Sequence, residues 1–132
     1  MQFSTEELLN AAHTVRARAY APYSGFAVGA AVDVGDGILF SGANVENASY
    51  GLSLCAERAA IVAAVSAGYR AIVAIAVAGP ANTTTAPCGA CRQFILEFGP
   101  EAAVTFTTPT GAKTVPIEGL LPESFGPKNL PK

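Results

Sequence analysis

Three cysteines and one glutamate carry most of the chemistry legible in this chain. Cys55, Cys88 and Cys91 are its only cysteines. An odd number cannot close into intrachain disulfides without leaving a thiol over, and clustered cysteines in a cytosolic protein point to metal or catalysis. Cys88-Gly89-Ala90-Cys91 is a C-x-x-C, a spacing shared by redox dithiols and by half of many zinc sites. Placement favours zinc. Cys55 and Cys91 fall at the expected starts of two helices, with Cys88 one turn before Cys91. A helix N-terminus carries about half a positive charge and unpaired N–H donors, which favours the thiolate that zinc binds.

Three protein ligands leave a fourth tetrahedral position open, as in catalytic zinc sites; structural sites close with a fourth Cys or His. One zinc ion per chain is the expectation. The only histidine, His13, falls far away on an expected helix. A site closed by His13, in which the metal merely staples a non-catalytic domain, is the alternative, and it leaves Glu57 without a purpose. Glu57 stands two residues after Cys55. On position alone it is a carboxylate well placed for the helix dipole. Beside a metal ligand it is suited to take a proton from water at the open position and pass it to a substrate nitrogen. Zn²⁺ with three thiolates carries one net negative charge, which weakens it as a Lewis acid. Arg58, next along the chain, is expected to donate hydrogen bonds to the cysteine sulfurs and offset that charge. Arg92 is either a second such donor or an ordinary surface arginine.

The elements that must position these groups are readable in outline. Ser4 with Glu7 forms a capping-box pattern, and Leu8, Ala12, Val15 and Ala19 recur at helical spacing, which predicts a helix from about Thr5 to Tyr20. Alternation over Phe26–Val34 predicts a half-buried strand, and Gly35-Asp36-Gly37 turns it into a second over Ile38–Ser41. The Asn-rich stretch Asn44–Tyr50 suits a loop. A helix is expected from Cys55 to Gly68 and a central strand over Ala71–Ala78. A third helix should span Gly89–Phe98, with short strands near Val104–Thr107 and Lys113–Val115. With no repeat and no linker, residues 1–132 read as one domain, an α/β layer structure with helices on both faces of a sheet.

Composition narrows the function classes. Charged residues make up only 14% of the chain and hydrophobic residues 51%, against a typical charged share of about 25%. Surface covered by other copies of the chain is the simplest account, although an Ala-rich core would look similar. A net charge of −2 with eight scattered Lys and Arg argues against a nucleic-acid surface. The apolar stretch from Ala59 to Gly79 is broken by Ser66, Gly68 and Arg70, so no membrane span is expected. With two early glutamates and no apolar leader, the expected location is cytoplasmic.

Cys55-Ala56-Glu57 with Pro87-Cys88-Gly89-Ala90-Cys91 resembles the zinc nucleoside deaminases, and the chain as a whole resembles the cytidine deaminases. Tyr23 to Ala31, Asn44 to Gly51 and Leu120 to Phe125 extend the likeness over nearly all of it. The resemblance implies a three-layer α/β/α sandwich with a mixed, roughly five-stranded sheet. It implies deamination of cytidine and 2′-deoxycytidine by zinc-activated water, in pyrimidine salvage; a related cytosine nucleoside is the alternative substrate. It places Phe26 against the pyrimidine ring, Asn44 and Glu46 on the ribose 3′-hydroxyl, and the main chain near Ala56 at the base edge. By the same resemblance, Ala48, Tyr50 and Phe125 complete the sites of neighbouring subunits in a homotetramer. Read without it, Phe26 is the first core residue of its strand and Asn44 a turn former.

Overall fold

The computed structural model describes residues 2–131. Helix α1 spans Thr5–Arg16, strand β1 Gly29–Asp33, β2 Leu39–Ala43, helix α2 Ala56–Ser66 and β3 Ala74–Ala78. Helix α3 (Gly89–Phe98), strands β4 (Ala103–Thr108) and β5 (Gly111–Pro116) and the short helix α4 (Ile117–Leu120) follow. The sheet order is β2-β1-β3-β4-β5. Only β3 and β4 pair in parallel, so the sheet is mixed and five-stranded.

Alternate residues of the central strands feed two different cores. Ala30, Val32, Ile75 and Val77 join the larger one, with Ile61 of α2 and Ile95 and Leu96 of α3. Ala31, Ala76 and Ala78 face the other way and pack with Leu8 and Ala12 of α1. Large side chains therefore fill the α2/α3 side, while small ones let α1 lie close to the sheet. A Cβ on Gly29 would collide with the Ala12 carbonyl oxygen, so only glycine fits beneath α1 there. Gly42 plays the same part under α2, where a Cβ would meet the Ala60 nitrogen at 2.6 Å. The result is the expected α/β/α sandwich.

Several boundaries differ from the sequence reading. The Ser4–Glu7 capping box forms, but α1 ends at Arg16 rather than near Tyr20. Tyr20 is taken by a partner outside the helix: its N–H donates to the Asn44 carbonyl and its own carbonyl accepts from Glu46. Strand β1 is shorter than expected and buried along its whole length instead of on one face, because it lies between β2 and β3 with helices above and below. Helix α3 keeps its expected bounds and begins inside the C-x-x-C, so Cys88 is its N-cap and Cys91 lies in its first turn rather than at its start.

Candidate active site

Helices α2 and α3 reach the same place because of the strand order. β2 and β3 both pair antiparallel with β1, so they run the same way, and their last residues, Ala43 and Ala78, both pair with Gly29. Each of the two helices follows the carboxyl end of one of these strands. Both therefore start at the same end of the sheet, on one face.

Each starts on a cysteine. Cys55 caps α2 and Cys88 caps α3, both in extended conformation, and neither side chain bonds to the N–H groups of its own first turn. The sulfurs are left to face one another, joined by the buried Cys91 from within the first turn of α3. The three Sγ atoms lie within 4.8 Å of one another. Tetrahedral zinc with bonds of about 2.3 Å sets its sulfurs about 3.8 Å apart, so a small contraction makes the group a zinc site. His13 is exposed on α1 and does not belong to the group.

The electrostatics suit a cation. The Cys91 thiol and the Arg58 guanidinium hold the Cys55 thiol down to about 5. Cys91 is pushed the other way, up, by its hydrogen bond with Cys55 and by burial. The two sulfurs share a hydrogen bond and titrate as a pair, and a metal would displace the proton between them. Arg58 donates from Nη2 to the Cys55 sulfur at 3.3 Å, as expected. Glu57 is only 5% exposed, and burial pushes its carboxyl up to about 7, with the nearby Cys55 charge acting in the same direction.

Arg92 is neither a donor to sulfur nor a free surface residue. Its Nε donates to the Pro87 carbonyl at 2.7 Å and its Nη1 to the Leu120 carbonyl at 2.9 Å.

Of the residues expected to hold a nucleoside, Glu46 and Tyr50 share one cleft. Tyr23, Ser24, Glu46, Tyr50 and Ser53 line a cleft of about 400 Å³. The Glu46 carboxylate accepts from the Ser24 hydroxyl and from the Tyr23 and Ser24 N–H groups, and the Ser24 hydroxyl leads in holding it below the usual carboxylate range. Asn44 Oδ1 accepts from the Val28 N–H at 2.8 Å and its Nδ2 donates to the Phe26 carbonyl at 2.9 Å. Both side chains thus shape the loop that carries Phe26, with a second amide N–H and further oxygen lone pairs to spare. Phe26 is 37% exposed, so it is not a core residue of β1. Val45 exchanges backbone hydrogen bonds with Leu54, at 2.9 and 2.8 Å, which ties this segment to the residue before Cys55. Ala56 is buried at the first position of α2. Ala48 and Tyr50 are exposed near the cleft, and Phe125 is exposed elsewhere, with its carbonyl held by Gln93. Two contributors escaped the sequence reading. Ser24 carries a signal, a hydroxyl two residues before a backbone N–H it caps; Gln93 carries none, since its partner lies far along the chain.

Three convergent thiols beside a buried carboxyl on such a sandwich fit a zinc-dependent enzyme. Residues 3–107 match the family described as the cytidine and deoxycytidylate deaminase zinc-binding region, and the chain belongs to that family. It is 42% identical over 125 residues to a cytidine deaminase of Halalkalibacterium halodurans, covering 93% of this chain and 95% of the relative. A Mycobacterium tuberculosis cytidine deaminase is 44% identical over 116 residues, covering 88% and 85%. The crystal structure of the cytidine deaminase from Burkholderia pseudomallei superposes with a TM-score of 0.88 at 47% identity, covering 93% of this chain and all of that one.

Proposed function

We propose that the chain hydrolyses cytidine and 2′-deoxycytidine to the corresponding uridines and ammonia, with zinc held by Cys55, Cys88 and Cys91 and Glu57 as the proton carrier. The convergence of three thiols and a buried carboxyl at two helix N-termini, in a chain of this family, is the observation that carries the reading. Bound by Cys55, Cys88 and Cys91, zinc would supply Lewis acidity that lowers the pKa of water from 15.7 towards about 7. Glu57 accepts the proton of the attacking water as its oxygen adds to C4 of the cytosine. It returns that proton to the adjacent ring nitrogen, then moves the remaining proton of the added oxygen to the amino group, so that C4=O forms as the C4–N bond breaks and ammonia leaves. Burial of Glu57 keeps bulk water out of this exchange. Arg58 offsets the negative charge of the thiolates from the side of Cys55.

Substrate recognition is read from family membership, with Glu46 and Tyr50 on the wall of the cleft as support. The Phe26 ring stacks on the base, the main chain at Ala56 meets its edge, and Asn44 and Glu46 bind the ribose 3′-hydroxyl. Glu46 repels a phosphate, so the substrates are nucleosides rather than nucleotides. The active form is a homotetramer acting in the cytoplasm, in which Ala48, Tyr50 and Phe125 complete neighbouring sites. Tyr50 and Phe125 are 74% and 61% exposed, large apolar surfaces for a chain with so few charged residues. Among the described residues no helix is long and apolar enough to cross a membrane.

Assay of the purified protein against cytidine, deoxycytidine, their monophosphates, adenosine and 3′-deoxycytidine tests the reading. The two nucleosides should turn over, and the 3′-deoxy analogue should lose about 1–3 kcal/mol per unpaired polar group, roughly 5- to 150-fold each in kcat/KM. No ammonia from cytidine would refute the activity, and equal kcat/KM for the 3′-deoxy analogue would refute the role of Asn44 and Glu46.

A further inference from the structure

The first turn of α3 holds more than two sulfurs. Arg92 follows Cys91 directly, and its backbone N–H closes the first turn onto the Cys88 carbonyl at 2.9 Å. Its side chain reaches back past the helix start to the carbonyl of Pro87, the fully buried residue before Cys88. Through its other arm it takes the carbonyl of Leu120, the last residue of α4. The next residue, Gln93, donates from Nε2 to the Phe125 carbonyl at 2.8 Å. Two adjacent side chains therefore grip both ends of the segment 120–125.

At its start that segment packs Leu120 and Leu121 against the main core, and beyond them the side-chain grips are its hydrogen-bonded ties to α3. α4 is four residues long and is anchored from below by the buried Ile117, whose N–H donates to the Ala102 carbonyl. Between the two grips Glu123 sits at φ 50°, in the left-handed region that a residue with a side chain rarely adopts. A backbone held there needs surroundings that over-determine it, and the two side-chain clamps are such surroundings. Charge compensation of the thiolates is Arg58's task, since Arg58 touches the Cys55 sulfur, whereas Arg92 spends its donors on two carbonyls that neither helix ladder satisfies.

We propose that Arg92 and Gln93 are positioning residues that join the strap carrying Cys88 to the segment carrying Phe125, so that the metal-ligand strap and the C-terminal segment hold their geometry as one unit. Arg92 is the shared member, because its side chain bonds to both parts. Gln93 secures only the far end. Where Phe125 completes a neighbouring site, which rests on the reading above, this unit links the zinc strap of one subunit to the substrate pocket of the next. A lysine cannot replace Arg92, because one ammonium on a flexible stem does not present two separated donors in a planar fork.

The test uses the zinc-loaded protein and two readouts independent of turnover. One is the rate of zinc transfer to an excess of chromophoric chelator. The other is hydrogen exchange of peptides covering residues 84–90 and 119–126. Arg92→Met should speed zinc loss by about 10- to 100-fold, the usual effect of losing a group that orients a metal ligand, and should raise exchange in both peptides. Gln93→Met should raise exchange in 119–126 while zinc loss stays within about twofold of wild type, a split that general destabilisation does not produce. Arg92→Lys, which keeps charge and stem if Arg92→Met fails to fold, should reproduce the Arg92→Met pattern. Wild-type behaviour of Arg92→Lys, or acceleration at only one of the two peptides in the Arg92 variants, would overturn the proposal. Because neither readout needs cytidine, a failure of the proposed activity leaves a distinct signature, namely normal coupling without deamination.

Discussion

Helices α2 and α3 both begin on a cysteine N-cap without a side-chain capping bond, and both place an arginine within four residues of it, Arg58 and Arg92. On α2 the opening turn is buried, with Ala56 and Glu57 at 1% and 5% exposure. On α3 the corresponding Gly89 and Ala90 are exposed. The arginines part ways as well: Arg58 turns to a sulfur and Arg92 to two backbone carbonyls. One local device thus serves two purposes. α2 contributes a buried acid and the charge balance of the site, while α3 contributes two sulfurs and the anchoring of the C-terminal segment. What surrounds a helix start decides its chemistry as much as the residues that form it.

Removing the shared feature should give the largest effect. Cys55→Ala and Cys88→Ala are each expected to drop zinc from one per chain towards none and take activity to background, by metal analysis and assay. Full zinc in Cys55→Ala would mean that α3 alone holds the metal, and the pairing of the two helices would be broken. His13→Ala should keep its zinc.

Glu57→Gln tests what is particular to α2. It should keep fold and zinc yet lose activity by about 10²–10⁴-fold or more, the range for a general acid–base group. A loss of less than about tenfold would remove Glu57 as the proton carrier.

On the α3 side, Phe125 hangs from Gln93 and should act in another subunit. Mixing inactive Glu57→Gln chains with impaired Phe125→Ala chains, and allowing subunits to exchange, should restore part of the activity, because some mixed sites then pair an intact Glu57 with a neighbour's intact Phe125. A fully active monomer in sedimentation at assay concentration would defeat the shared-site reading.

Arg58→Gln should give the smallest effect, weakening zinc retention or turnover by about 10- to 100-fold without unfolding the chain. Unchanged zinc affinity and kinetics would place Arg58 outside the working site and make the two arginines alike after all.

Much of this arrangement was legible in the residues themselves. The Ser4–Glu7 box opens α1, and Gly89–Phe98 is the third helix at the expected bounds, because capping and helix-breaking are settled within a few residues. The Cys55, Cys88 and Cys91 set and the neighbouring Glu57 could be picked out by residue type and spacing. Other boundaries were not legible. Tyr20 leaves the helical pattern because Asn44 and Glu46 offer it backbone partners, and these lie on the far side of β1 and β2 in the chain.

By itself, then, the sequence determined which residues cap, which break, and which side chains are able to hold zinc or carry a proton. Tertiary structure decided where those abilities meet. The order β2-β1-β3 sets Ala43 and Ala78 on either side of Gly29, and that alone brings two distant helix starts, and their sulfurs, together. It also decided the roles of the two arginines, since the Leu120 carbonyl reaches Arg92 only after β4, β5 and α4 have packed. The physical reason is range: caps and turns are satisfied within one turn of chain, whereas the partner of a long side chain is whichever group the sheet order delivers to it.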